Sequence, residues 1–254
     1  MSNIKSGAVE GATIPARVKT LKVRVKDKHA KQLRGMANSV NMVFNYCNEL
    51  SYRNITERKR YLSGYDIQKY LTGASKMLPI GRGTLDQIAA EYAIRRNKVK
   101  RSKLNWRKSV GTRRSLGWIP FKKRTVMYRN GQIYHNGILY SIWDSYGLSQ
   151  YELRSGSFNE DARGRWYLNI VVEVKEEKST GKESVGIDLG CKSTATDSNG
   201  YVVQGREFRK LEGKLGIAQR SRNKKQVKTI HAKIKNRRAD TLHKYSRKLV
   251  EGNP

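Results

Sequence analysis

The amino-acid sequence predicts an α+β protein in which an antiparallel β-barrel carries an inserted helical block and is followed by a second, smaller α+β unit. Three observations predict this class. Apolar residues alternate with a period of two near the N-terminus and again over residues 125–174, which is typical of half-buried strands. Between these regions they recur every three or four positions, as on one face of a helix. A new strand pattern then begins at Ser184.

The net charge restricts the possible functions of the chain more than its length does. The 254 residues include 53 Lys and Arg but only 21 Asp and Glu, which gives a formal net charge of +32. A polyanion relieves such self-repulsion, and nucleic acid and acidic membrane surfaces are the common ones. The sequence has no signal-peptide pattern and no apolar run of about 18 residues. Nucleic acid is therefore the favoured partner, no membrane is expected, and we expect a cytoplasmic, nucleoid-associated protein.

The two cysteines argue against two other classes of protein. Cys47 and Cys191 are too few and too far apart for a disulfide framework or a four-cysteine zinc site. We therefore expect no zinc in this chain and a reducing compartment.

The first 120 residues divide into a strand and a helical insert. Alternating apolar and basic residues in Val18–Lys26 predict the first barrel strand, within residues 1–27. Residues 28–120 are predicted to form the insert. It opens with an amphipathic helix over residues 28–52, and a later helix is predicted to start with Thr84 as its N-cap.

The end of this insert is free of acids. Between Arg95 and Arg124 there are 13 Lys or Arg and no Asp or Glu, which favours a phosphate-contacting surface over an ordinary solvated helix face. Trp106 either stacks on a base or anchors the segment to the core, and the sequence leaves both interpretations open. The residues expected to contact phosphate are Arg95, Arg96, Lys98, Lys100, Arg101, Lys103, Arg107, Lys108, Arg113, Arg114, Lys122, Lys123 and Arg124.

Residues 121–176 are predicted to complete the barrel. Asn130-Gly131 and Asn136-Gly137 each stand between strand-forming residues, which is the strongest local signal for a hairpin. Trp166–Val174 alternates as a further strand. Acids are more frequent here than elsewhere, so this part is the least expected to touch phosphate. Residues 175–183 are charged and turn-prone and are interpreted as a linker.

A chemistry-bearing pattern begins the last unit, residues 184–254. Ser184–Gly190 is a short apolar strand with Asp188 inside it, followed by a turn at Ser198-Asn199-Gly200 and another strand. Ribonuclease-H-like folds begin in this way, and there the acid binds a divalent metal. The alternative is an aspartate that makes a local turn or cap.

A basic helical run follows from Glu207 to Val250, with a weak patch at residues 221–225 that is interpreted as a turn between two helices. Between Arg209 and Lys248 there are 15 Lys or Arg against two acids, so nucleic acid is favoured over a membrane surface. The expected phosphate contacts are Arg220, Arg222, Lys224, Lys225, Lys228, Lys233, Lys235, Arg237 and Arg238.

Several of these motifs together resemble the TnpB proteins, which are insertion-sequence-encoded relatives of type V CRISPR effectors. Gly186–Gly190 with Asp197–Gly200 and the basic run ending in Arg237–Val250 resemble the first RuvC segment and its following helices. Gly117–Lys123 and Gly164–Tyr167 resemble the family's basic stretch and one of its barrel strands. The order of these segments along the chain is the same.

This resemblance implies an RNA-guided DNA-binding protein. A guide RNA pairs with double-stranded target DNA, while the protein recognises backbone, shape and a short adjacent duplex motif. The implied fold is a wedge barrel with a helical recognition insert, followed by the N-terminal part of a ribonuclease-H-like RuvC domain. The family pattern points to Arg82, Thr84 and Gln87 as residues that read the adjacent motif.

The family's nuclease site uses three carboxylates around two Mg²⁺ ions. Only Asp188 matches one of them, as a catalytic and metal-binding residue, so we expect Mg²⁺ only where the site is completed. This favours a DNA-binding protein without a complete nuclease site, such as a nuclease-dead TnpB-like repressor. The alternatives are a fragment of an active Mg²⁺-dependent endonuclease and, from another class, a basic RNA-binding protein that uses no guide.

Overall fold

The computed structural model describes residues 17–174, 184–205 and 208–252. The predicted linker, residues 175–183, and Glu207 lie outside the described residues. The chain divides into two compact units, Met1–Glu176 and Glu177–Pro254, and each is described by itself.

The first unit contains a seven-stranded antiparallel sheet. Its strands are listed in chain order: β1 (Arg17–Val25), β2 (Trp118–Phe121), β3 (Val126–Arg129), β4 (Gln132–His135), β5 (Ile138–Trp143), β6 (Leu153–Glu160) and β7 (Trp166–Val174). Their order in the sheet is β2-β6-β7-β1-β5-β4-β3. The predicted first strand therefore lies in the middle of the sheet, where β1 pairs with both β7 and β5. Single turns of 3₁₀ helix follow β1 at Asp27–His29 and precede β6 at Leu148–Gln150.

Two tight turns join the strands from β3 to β5. Asn130 and Gly131 have φ values of 46° and 76°, and Asn136 and Gly137 have values of 50° and 82°. Two successive residues with positive φ match the right-handed twist of the strands they join. Both predicted Asn-Gly hairpins are confirmed.

The sheet is curled, as a cluster of rings inside it shows. Phe121 on β2 and Phe158 on β6 each have their ring centroids 5.6 Å from that of His135 on β4. Tyr140 on β5 lies 5.2 Å from Phe158. Strands from the two ends of the strand order can meet in this way only if the sheet bends round on itself. The structure thus has the predicted α+β class with a curled antiparallel sheet.

Four helices lie between β1 and β2: α1 (Ala30–Arg58), α2 (Gly64–Tyr70), α3 (Ala74–Met77) and α4 (Arg82–Val99). Helix α1 buries the apolar positions that its periodicity predicts, including Leu33, Val40 and Phe44. Helix α2 begins with a capping box, in which Ser63 and Asp66 bond each other's backbone N–H.

The prediction that Thr84 caps a helix is wrong. Helix α4 begins at Arg82 after the N-cap Gly81, so Thr84 lies buried in its first turn. The helix ends at Val99, where Lys100 takes a left-handed conformation with φ of 53°. Residues 100–117, which we call the basic segment, have neither helix nor strand and complete the insert.

The second unit has a small sheet and two helices. Its elements are β8 (Ile187–Asp188), β9 (Ser193–Asp197), β10 (Val202–Gln204), α5 (Arg209–Arg220) and α6 (Lys224–Gly252), and the strand order is β10-β9-β8. The predicted turn between β9 and β10 is confirmed, and Asp197 closes it by accepting hydrogen bonds from the N–H groups of Asn199 and Tyr201. The predicted break between the helices lies at residues 221–223. Ala195, Val203 and Tyr245 form the core, with Leu249 packed on it.

Candidate nucleic-acid interface

Many cations of the acid-free stretch are exposed and carry no opposing charge. Around the end of α4, the basic segment and the turn after β2, the exposed Lys and Arg without an ion-pair partner among the described residues are Lys98, Lys100, Arg101, Lys108, Arg113 and Arg124. Because these side chains are exposed and form no described ion pair, a phosphate can bind them without displacing a carboxylate. They are the available part of the predicted surface.

Arg96 is a correction to the predicted phosphate set. Its side chain is buried, with 3% of the residue exposed. The guanidinium donates to Ser51 Oγ at 2.6 Å and to the carbonyl of Leu62 at 2.8 Å. A buried, hydrogen-bonded guanidinium fixes the loop after α1 against α4 and cannot reach a phosphate.

Arg114 is also held inside the first unit. Its two terminal nitrogens donate to the carboxylate of Glu160 at 2.6 and 2.7 Å. The N–H of Gly117 donates to the same carboxylate at 3.0 Å, and Arg34 lies 3.4 Å from it. Burial by itself would raise the pKa of Glu160, but the hydrogen bonds from Arg114 and Gly117 outweigh it and hold that pKa below its usual value. Arg114 therefore anchors the basic segment to β6.

Arg107 has a similar supporting role. Its Nε donates to Asn41 Oδ1 at 2.6 Å, and its terminal nitrogen donates to the carbonyl of Leu116 at 2.9 Å. The guanidinium also lies over the rings of Phe44 and Trp118. Burial, with a smaller contribution from the neighbouring Arg95, lowers the pKa of Arg107. Most of its donors already have partners inside the protein.

The remaining cations of the stretch are in surface ion pairs. The nitrogen-to-oxygen distances are 3.6 Å for Arg95–Glu91, 2.9 Å for Lys103–Glu49, 3.0 Å for Lys122–Asp86 and 2.6 Å for Lys123–Glu152. The four cations are partly exposed to water, which screens these pairs, so a phosphate can replace the carboxylate at small cost. These four stay in the candidate surface.

Three asparagines of α1 hold the basic segment in place, and the sequence interpretation missed them. Asn48 accepts from the N–H of Leu104 and donates to its carbonyl, at 2.9 and 2.7 Å. Asn45 makes the same pair of bonds with the backbone of Arg107, both at 2.8 Å. Asn41 donates to Ser109 Oγ at 3.2 Å. We call Asn41, Asn45 and Asn48 the asparagine clamp. Their spacing of four and three residues is the signal that could have revealed one polar helix face.

The three residues expected to read an adjacent duplex motif differ in their burial and in their contacts. Thr84 is 2% exposed and its hydroxyl is buried, so it cannot contact a base, which corrects that expectation. Arg82 is held by Asp86 at 2.9 Å and by the carbonyl of Gln68 at 3.3 Å, although its side chain is 46% exposed. Gln87 is half-buried in the first half of α4. Arg82 and Gln87 remain candidates.

The predicted cations of the second unit are exposed on α5, α6 and the turn between them. Arg238 is the member with a described ring contact, because its guanidinium lies 5.6 Å from the centroid of Phe208. The exposed members are Arg220, Arg222, Lys224, Lys225, Lys228, Lys233, Lys235, Arg237 and Arg238.

Asp188 lies exposed at the end of β8, where it pairs with Thr196 of β9. Within the described ranges no three His, Cys, Asp or Glu side chains come together as a metal site. One exposed carboxylate supplies too few ligands for Mg²⁺, which prefers six oxygens in an octahedron. The described residues alone therefore do not fit the two-metal centre, and we derive no metal-dependent step from them.

None of the described helices has an apolar stretch long enough to span a membrane.

Comparisons with known proteins agree with the motifs. Residues 168–254 match the family OrfB_IS605, described as a probable transposase. A "Putative RNA-guided DNA endonuclease" of Streptomyces pristinaespiralis is 31% identical over 110 residues, which cover 37% of this chain and 27% of that protein. The match thus spans about a quarter of the curated relative's length.

Two solved structures are similar at low TM-scores. "Cryo-EM structure of the Cas12f1-sgRNA-target DNA complex" has a TM-score of 0.38 at 15% identity and covers 92% of this chain and 69% of that chain. "Cryo-EM structure of CRISPR-Cas12f Ternary Complex" has a TM-score of 0.41 at 13% identity and covers 85% and 59%. The sequence match to the OrfB_IS605 family over residues 168–254, together with the Streptomyces relative, confirms the resemblance of this chain to the TnpB proteins.

Proposed function

We propose that this chain is an RNA-guided DNA-binding protein of TnpB type, which binds a guide RNA and a target DNA beside a short duplex motif. The observation that carries the proposal is the set of exposed, unpaired cations from Lys98 to Arg124. Contacts from such groups to phosphate supply affinity without sequence preference, and base pairing with a guide supplies the sequence. The description of the Streptomyces relative supports a guide RNA as the partner.

The domain roles follow from the same proposal. Residues 1–27 and 121–176 form the wedge barrel, residues 28–120 the recognition insert, and residues 184–254 the first part of the RuvC domain. The exposed cations of α5 and α6 add a second phosphate-contacting surface. Arg82 and Gln87 read the adjacent duplex motif, because Arg can bond guanine and Gln can bond adenine through two hydrogen bonds.

One experiment separates guided from unguided binding. The full chain is purified with its nucleic acid from cells that carry its own element, and the bound RNA is sequenced. A single RNA species with a defined end is expected. A heterogeneous RNA pool would contradict the guided function and favour a general basic RNA-binding protein.

A second candidate function is DNA cleavage, favoured by the endonuclease description of the relative and by the position of Asp188 in the RuvC motif. The complex is incubated with matched DNA and Mg²⁺, beside the variants Asp188→Ala and Asp240→Ala. Asp240 is a matched control, since it is an exposed acid paired with Lys244 on α6. Binding without cleavage is expected. Cleavage that Asp188→Ala abolishes and Asp240→Ala preserves would instead establish the nuclease.

A further inference from the structure

An open cleft of about 330 Å³ lies between the end of α4 and the basic segment. Phe44, Val99 and Leu104 give it an apolar lining. Arg95 and Lys98 line it as cations, and no acid is among its lining residues. Lys98 has no ion-pair partner among the described residues, and Arg95 is in a partly exposed pair with Glu91. An apolar surface beside these cations is complementary to a flat ring that carries an anionic group.

Two residues at the mouth of the cleft can recognise such a ring. Trp106 is 49% exposed, although tryptophan is among the residues with most to gain from burial. Asn105 beside it is exposed, and its side chain has an amide that can donate and accept. By contrast, Trp166 of β7 is 1% exposed and packs in the core. The exposure of Trp106 argues against a purely anchoring role, the alternative that its sequence left open.

The asparagine clamp fixes the position of these two residues. Asn48 bonds both backbone groups of Leu104, and Asn45 bonds both backbone groups of Arg107. Asn105 and Trp106 are the two residues between these fixed points. Their backbone is thus held before any ligand arrives, which reduces the entropy lost on binding.

We propose that this cleft holds one unpaired nucleobase, stacked on Trp106 and hydrogen-bonded at its edge by Asn105, with the adjoining phosphate on Lys98 and Arg95. The proposal rests on the proposed nucleic-acid-binding function and adds a single-base subsite to it. Every base has an aromatic face, so stacking tolerates any sequence, whereas the Asn105 amide favours adenine. RNA and single-stranded DNA both have such a base beside a phosphate, so either can supply the base that binds in this cleft.

The test uses the full chain and short single strands that carry one 2-aminopurine, as RNA and as DNA of the same sequence. Stacking on an aromatic ring quenches 2-aminopurine fluorescence. The variants are Trp106→Ala, Trp106→Phe and Asn105→Ala. Trp143→Ala is the matched control, because Trp143 is 61% exposed and has Lys26 over its ring, as Trp106 has Lys103.

We expect Trp106→Ala to weaken binding about tenfold and to abolish quenching, since base stacking on an aromatic side chain is lost. Trp106→Phe should retain most of both signals, Asn105→Ala should lose preference for adenine analogues, and Trp143→Ala should behave as wild type. Quenching with RNA alone or DNA alone identifies the source of the base. Wild-type affinity and quenching in Trp106→Ala would overturn the subsite and leave the proposed function standing. Failure of the wild-type chain to bind either strand would overturn both.

Discussion

At the residue scale, Glu160 on β6 connects two other parts of the first unit, α1 through Arg34 and the basic segment through Arg114 and Gly117. It is 5% exposed and receives hydrogen bonds from Arg114 and from the N–H of Gly117. A Cβ atom at Gly117 would lie 2.2 Å from the ring of Trp166, so only glycine permits this approach. The buried carboxylate thereby fixes the end of the basic segment beside β6.

Glu160→Gln should lower the free energy of unfolding by about 2 kcal/mol, because it leaves the Arg114 guanidinium without its charged partner. Partial exposure of Arg114 places the loss below the range for a fully buried pair. Urea denaturation measures it. Glu152→Gln is the control, since its pair with Lys123 is exposed and screened by water, and its loss should change the free energy of unfolding much less. Equal losses in the two variants would contradict this account of Glu160.

His135 should make stability depend on pH. Burial among the barrel rings holds its pKa below the ordinary 6.5, although the bond to the Thr125 carbonyl partly opposes this. The unfolded chain therefore binds a proton near pH 6.5 that the folded chain does not bind, so folding stability falls as pH drops below that value. His29, whose pKa is lowered by burial and by Lys28, acts in the same direction.

His135→Phe should remove part of this dependence while keeping a ring against Phe121 and Phe158. The free energy of unfolding is measured between about pH 7.5 and pH 5.5 for both proteins. A smaller decrease in the variant is expected. The same decrease in both would show that His135 is not responsible.

At the element scale, the end of α4 carries the clearest electrostatic prediction. Replacing Lys98, Lys100 and Arg101 by Gln removes three exposed cations without breaking a described ion pair. The dependence of log K on log salt should become shallower by about one for each lost phosphate contact, at most about three in total.

A salt titration of nucleic-acid binding measures this slope. Arg53→Gln on α1 is the control, because that exposed cation is not among the predicted phosphate contacts. An unchanged slope in the triple variant would remove the end of α4 from the binding surface.

Some elements are determined by residues next to one another in the sequence, and others depend on residues far away along the chain. The two Asn-Gly hairpins form because their turn residues tolerate positive φ, so two neighbouring residues are enough to predict each hairpin. Helix α1 follows from its apolar period in the same way. The basic segment has no such period, and its path depends on asparagines about 60 positions earlier in the chain.

At the scale of the whole molecule, the two units have unequal cores. The first buries one large cluster that joins α1, α2, α4 and the curled sheet. The second has Ala195, Val203 and Tyr245 as its buried cluster, with Leu249 beside it. Because buried apolar area is the main favourable contribution to folding, the second unit should open more readily.

Hydrogen exchange followed by mass spectrometry should show this difference, with slower exchange in the strands of the first unit. Tyr245→Ala should speed exchange in β9, β10 and α6 and leave β1 and β7 unchanged, since Tyr245 packs within the second unit's core. Faster exchange in both units would show that they unfold together.

The sequence by itself determined the properties that depend on residues close together in the chain or on the overall composition. These are the strands and helices with clear periods, the tight hairpins, the net charge and the motif around Asp188. Only the tertiary structure decided which cations are available. Arg96, Arg114 and Lys98 are alike in sequence, but Arg96 is buried against Ser51 and Leu62, Arg114 is held by Glu160, and Lys98 is exposed. The partners that make this difference lie 34 to 46 residues away along the chain, so no local pattern contains them.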